Sequence, residues 1–125
     1  LLYTLEWSPR EESAYHVLNK TLASRDRDQR LKPWLLFLRL FLVGLSKRPL
    51  IQNKTVYRGI PHLVDYPGRK TVTWWPFTSC SIEENAAMSF IRGSSESTLF
   101  VIQIRSGRDI GDLSVHPDEK EILLL

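Results

Sequence analysis

Thr55-Val56-Tyr57-Arg58-Gly59-Ile60 is the stretch on which the fold turns. Before it, apolar residues recur at helical spacing. From it onward, β-branched and aromatic residues gather in short runs divided by turn residues. Lys70–Phe77 and Thr98–Arg105 repeat its texture, and Pro61, Pro67-Gly68 and Gly93-Ser94-Ser95 mark the breaks. Ile82–Ile91 reads as a short helix. Ser81 can cap it, Glu83 and Glu84 favour its amino end, and Ala86, Ala87, Phe90 and Ile91 supply an inner face. Past Gly107, Gly111 and Pro117, a closing strand is expected from Glu119 into Ile122-Leu123-Leu124-Leu125.

Upstream, Leu1–Trp7 alternates in character, as a short strand or a helical lead-in would. Ser8, Pro9 and Glu11 form a capping-box pattern, and Ala14, Tyr15, Leu18 and Leu22 share one face, so the spacing predicts a helix over Ser8–Ser24. Arg25–Arg30 is polar enough to be a solvated connection. Pro33 opens the most apolar segment, Trp34 to Leu45, interrupted by Arg39 and closed by Pro49. A membrane span needs about 20 apolar residues. This run is shorter and closely flanked by Lys and Arg, so it reads as a central core helix. Helices first and strands second predict an α+β domain with a mainly antiparallel sheet. Residues 1–125 are expected to be one domain, helical over 1–50 and β-rich over 51–125, excised from a longer protein.

The composition is that of a globular chain: 125 residues, 42% hydrophobic and 25% charged. The formal charge of +3 is mild, and much of the excess sits between Arg25 and Arg48 without interleaved aromatics, which argues against nucleic-acid binding. Cys80 is the single cysteine, so no intrachain disulfide can form. With no visible signal or spanning segment, that points, if anywhere, to a reducing intracellular compartment. His16, His62 and His116 stand apart and Cys80 has no partner at ligand spacing, so no metal is expected. No Gly-x-Gly-x-x-Gly follows a strand, which removes the doubly wound dinucleotide site.

Three places set polar groups among strand-like apolar residues, where burial is costly unless the groups are satisfied. Arg58, between Tyr57 and Gly59, carries a permanent charge and a donor fork suited to phosphate or carboxylate, and Gly59 allows close backbone approach. A structural ion pair is the plainer account. Ser79 and Ser81 face one side of a strand and offer hydroxyls to a sugar or amide, unless they merely end an edge strand and cap a helix. Glu119 and Glu121 are expected on one strand face, where like charges oppose joint ionisation. A solvated strand start would explain them equally.

Their order and flanks resemble the arginine-directed mono-ADP-ribosyltransferases, with Tyr57-Arg58-Gly59, then Phe77-Thr78-Ser79-Cys80-Ser81, then Pro117-Asp118-Glu119-Lys120-Glu121 before an aliphatic strand. Cys80 departs from the family's usual Thr or Ser, at a position facing away from the two serines. The resemblance implies a two-sheet, mainly β core after amino-terminal helices, with NAD as co-substrate in a cleft. It implies that Arg58 holds the NAD phosphates or the nicotinamide-side ribose, and that the Gly59 backbone bonds the nicotinamide amide. Ser79 would support the ribose and the catalytic Glu121, with Ser81 also at the NAD site. Glu121 would stabilise the cationic sugar as nicotinamide leaves, and Glu119 would engage an acceptor arginine on a protein. Tyr57, Trp74, Trp75 or Phe90 are aromatic enough to stack on a base, but strand aromatics are commonly core. The expected activity is transfer of ADP-ribose from NAD to protein. NAD hydrolysis, or a binding-only module of the same fold, stands as the alternative. Neither nucleic acid nor membrane is expected as a partner.

Overall fold

The computed structural model describes residues 5, 7–66, 68 and 70–125; most of the Leu1–Trp7 expectation lies outside them. Helix α1 spans Ala14–Ala23, α2 is one turn at Arg27–Arg30, and α3 spans Leu35–Ser46. Strand β1 is Leu50–Ile60, β2 Thr78–Ser81, β3 Thr98–Asp109 and β4 Glu121–Leu124, with helix α4, Glu84–Ser89, between β2 and β3. The α+β class, the helices leading and the antiparallel pairing are as expected from the sequence.

The first helix begins later than the Ser8 signal predicts. Pro9 and Ser13 both adopt extended backbone, which isolates Arg10–Glu12 as a separate 3₁₀ turn. The hydroxyl that serves this entry is Ser13, accepting from the Trp7 N–H at 2.9 Å. In the connection that follows, Asp26 and Arg30 are solvated, but Arg27 docks: its guanidinium carbon lies 3.9 Å from the centroid of the Trp75 ring.

Helix α3 is not the central core helix that its composition predicts. Phe41 and Leu45 are buried, whereas Leu35, Leu36 and Leu40 are 60%, 71% and 65% exposed. One stripe therefore faces the body and the rest lies open. The buried stripe meets Leu18 of α1, Ile110 and Leu123, with Phe41 edge-on to Phe77 at 5.1 Å between centroids.

The strands close in the order β1-β2-β4-β3. The long ribbon pairs β1 with β3, from Leu50 opposite Arg108 to Ile60 opposite Thr98. The short one pairs β2 with β4, from Thr78 opposite Leu124 to Ser81 opposite Glu121. Narrow seams join the ribbons: Tyr57 opposite Ser81, and Arg108 and Asp109 opposite Leu123 and Ile122. Inside sit Val56, Cys80, Ile104 and Ile122. The ring is tight enough that a Cβ on Gly107 would lie 2.7 Å from Ile122 Cγ2. Strand β4 places Ile122 in this cluster and Leu123 in the one beneath the helices. A strand covered on both faces reads as an unbroken apolar run, which accounts for Ile122-Leu123-Leu124.

Lys70–Phe77 is not a strand; it runs as irregular backbone, and pairing begins only at Thr78. Its aromatics pack by side chain instead. Trp74 lies edge-on to Phe100 at 5.2 Å and its indole N–H donates to the Tyr66 hydroxyl at 2.7 Å.

Candidate active site

Arg58, near the end of β1, and Ser79, on β2, flank the seam at Tyr57 and Ser81. An Arg58 Nη1–H donates to the Ser79 carbonyl at 2.5 Å, crossing that seam. The Ser79 hydroxyl in turn donates to Glu121 Oε1. Three groups 21 and 42 residues apart in pairs are thus joined through Ser79. Glu121 is only 8% exposed, while Arg58 and Ser79 are half-buried. A buried carboxylate is costly without a donor, and Ser79 provides one. Among the described residues, no buried side-chain nitrogen or oxygen lacks a partner.

Cys80 registers the same charges from the inward face of β2. Burial pushes its thiol up to about 11; the Arg58 guanidinium pulls it back and the Glu121 carboxylate adds to the rise. The cysteine does face away from the serines, into the cluster within the ring.

Gly59 has its close approach used by the protein itself: a Cβ there would lie 2.1 Å from the Ala87 carbonyl oxygen of α4. Its missing side chain lets α4 press on β1. Ser81 is buried with its hydroxyl committed, donating to the Glu119 carbonyl at 2.6 Å and accepting from the Glu83 N–H at 3.0 Å. That hydroxyl ties a turn to the start of α4. That helix is shorter than the expected Ile82–Ile91, and Glu83, not Ser81, stands at its cap position.

Glu119 and Glu121 do not share a strand face. Glu119 ends a 3₁₀ turn, Pro117–Glu119, and Lys120 follows in the left-handed region at φ 44°, ψ 57°. A left-handed residue breaks strand alternation, so β4 starts only at Glu121. Beside this turn runs a groove of about 310 Å³ lined by Ile82, Asp109, Gly111, Asp112, Pro117 and Lys120.

Two contacts near the site escape the sequence reading. Asn19 of α1 clasps the residue before β2, accepting from the Phe77 N–H at 3.1 Å and donating to its carbonyl at 3.4 Å. A polar Asn between Leu18 and Leu22 was the available signal. The other is an ion pair between Lys120 Nζ and Glu83 Oε1. The two are far apart in sequence and exposed in character, so no local pattern marks them. Among the described residues, no group of three or more His, Cys, Asp or Glu is placed to hold a metal. No helix there is long and apolar enough to cross a membrane.

Comparison with known proteins bears on this geometry. A family model described as NAD:arginine ADP-ribosyltransferase matches residues 2–125. T-cell ecto-ADP-ribosyltransferase 2 of Mus musculus is 35% identical over 69 residues, covering 55% of this chain and 24% of its own length. T-cell ecto-ADP-ribosyltransferase 1 of Rattus norvegicus is 36% identical over 70 residues, covering 56% and 26%. The crystal structure of the eukaryotic mono-ADP-ribosyltransferase ART2.2 superposes with a TM-score of 0.63 at 25% identity, covering 98% of this chain and 52% of that one. The chain thus spans about a quarter of the curated relatives it matches and about half of the solved one. The relatives' names overturn the intracellular expectation, since they are ecto-enzymes of T cells. The lone cysteine misled because a buried thiol in the core is placed by packing, not by redox compartment.

Proposed function

The chain belongs to the NAD:arginine ADP-ribosyltransferase family, and from that membership we propose that it transfers ADP-ribose from NAD to a protein arginine and releases nicotinamide. The observation that carries this reading is the linked set of Arg58, Ser79 and Glu121. Arg58 offers a permanent cation for the NAD phosphates or the nicotinamide-side ribose. Ser79 holds the Glu121 carboxylate in place for the ribose. As the bond to nicotinamide breaks, positive charge develops on the sugar, and a fixed, buried carboxylate is the group that stabilises it. The Gly59 backbone serves the nicotinamide amide. Glu119, on the turn before β4, takes the acceptor guanidinium, whose planar fork a carboxylate matches.

Nicotinamide release from NAD, measured with and without agmatine as a guanidino acceptor, tests this. Release with formation of ADP-ribosyl-agmatine is expected. Release with free ADP-ribose alone would make the protein a hydrolase, and NAD binding without release would make it a binding module.

A further inference from the structure

The two glutamates are held by unlike means. Glu121 lies in the ladder, opposite Ser81, with its carbonyl accepting from the Ile110 N–H at 3.0 Å and its carboxylate accepting from Ser79. Glu119 lies outside the ladder, on a turn whose own bonds are Glu119 N–H to the His116 carbonyl at 3.1 Å and Lys120 N–H to the Pro117 carbonyl at 3.2 Å. That turn is fastened to the β2–α4 junction by the contacts of Ser81 and Glu83. The Ser81 hydroxyl bridges the Glu119 carbonyl and the Glu83 N–H, and Lys120 Nζ meets the Glu83 carboxylate. The contact with Glu83 also raises the Lys120 pKa.

We propose that the Glu83–Lys120 ion pair, acting with Ser81, is a clamp that positions Glu119 toward the acceptor and leaves Glu121 to its own anchors. The inference rests on the reading of Glu119 as the acceptor-side carboxylate. Glu83 and Lys120 are positioning residues: the side-chain contact described for each is with the other, and not with Arg58, Ser79 or the Glu121 carboxylate. Side chains about half exposed, as these are, make a weak pair that salt screens further. The clamp therefore tunes the ratio of transfer to hydrolysis and does not switch the reaction on.

A double-mutant cycle on the whole protein tests it, with Glu83→Gln, Lys120→Met and the double variant. Each single variant is expected to lower the ratio of agmatine transfer to NAD hydrolysis by about two- to fivefold, with hydrolysis little changed. The double variant falls no further than either single. Amide hydrogen exchange at Glu119 and Lys120, which needs no turnover, speeds up in both singles. Additive losses, or unchanged ratios with unchanged exchange, overturn the clamp. A wild-type protein that releases no nicotinamide refutes the activity, not the clamp, and exchange alone then decides whether the pair holds the turn.

Discussion

Two residues apart, Glu119 and Glu121 face different demands. Glu121→Gln keeps an oxygen for the Ser79 hydroxyl but removes the charge, so the fold stands while nicotinamide release drops by about 10²–10³ or more. Glu119→Ala spares NAD hydrolysis and loses transfer to agmatine. Steady-state assays of both products check the pair, and an equal loss of both activities in the Glu119 variant would break the division of labour. Cys80 makes a separate prediction at this scale. Its folded pKa of about 11 exceeds the ordinary 9.0, so the unfolded thiol ionises first as pH rises. The Cys80 contribution to stability is full below pH 9 and is lost between 9 and 11, on the order of 2–3 kcal/mol. Urea midpoints at pH 8 and 10.5 should show this loss in the wild type and much less of it in Cys80→Ala.

Between elements, the tightest fit is α4 on β1. Gly59→Ala places a methyl 2.1 Å from the Ala87 carbonyl, where backbone must shift. We expect destabilisation of about 1–3 kcal/mol in denaturant titration, as overpacking gives. Unchanged stability would mean that α4 is not seated on Gly59. Nothing in the letters Tyr57-Arg58-Gly59 announces that the glycine also seats a helix, because the carbonyl it makes room for belongs to Ala87, far along the chain. Other elements were legible in proportion to how local their causes are. Strands β1 and β3 follow from their own residues, although both run longer than expected. Val72-Thr73-Trp74-Trp75 has strand composition, yet its tryptophans are used by Tyr66, Phe100 and Arg27, and no backbone pairs with it among the described residues. The left-handed Lys120 that separates the two glutamates is a conformation any pattern of alternation would miss. The convergence of Arg58, Ser79 and Glu121 was legible because each sits at a strand end with a recognisable flank.

Over the whole molecule, β4 is the shared wall of two cores, with Ile122 inside the ring and Leu123 against Leu18, Phe41 and Leu45. Division at residue 50 is therefore a change of texture, with no seam in the packing. Leu18→Ala should cost about 2–5 kcal/mol and shift helix and sheet together, giving coincident unfolding curves by far-ultraviolet circular dichroism and tryptophan fluorescence. Two separated transitions would refute the shared wall.

The enclosed thiol of Cys80 also makes this molecule its own stopwatch. With 4% of its surface reachable and a suppressed thiolate, it reacts with an alkylating reagent only when the closed strands part. The rate at which iodoacetamide consumes that one sulfur counts openings of the ring, against no background from any other cysteine in the sequence.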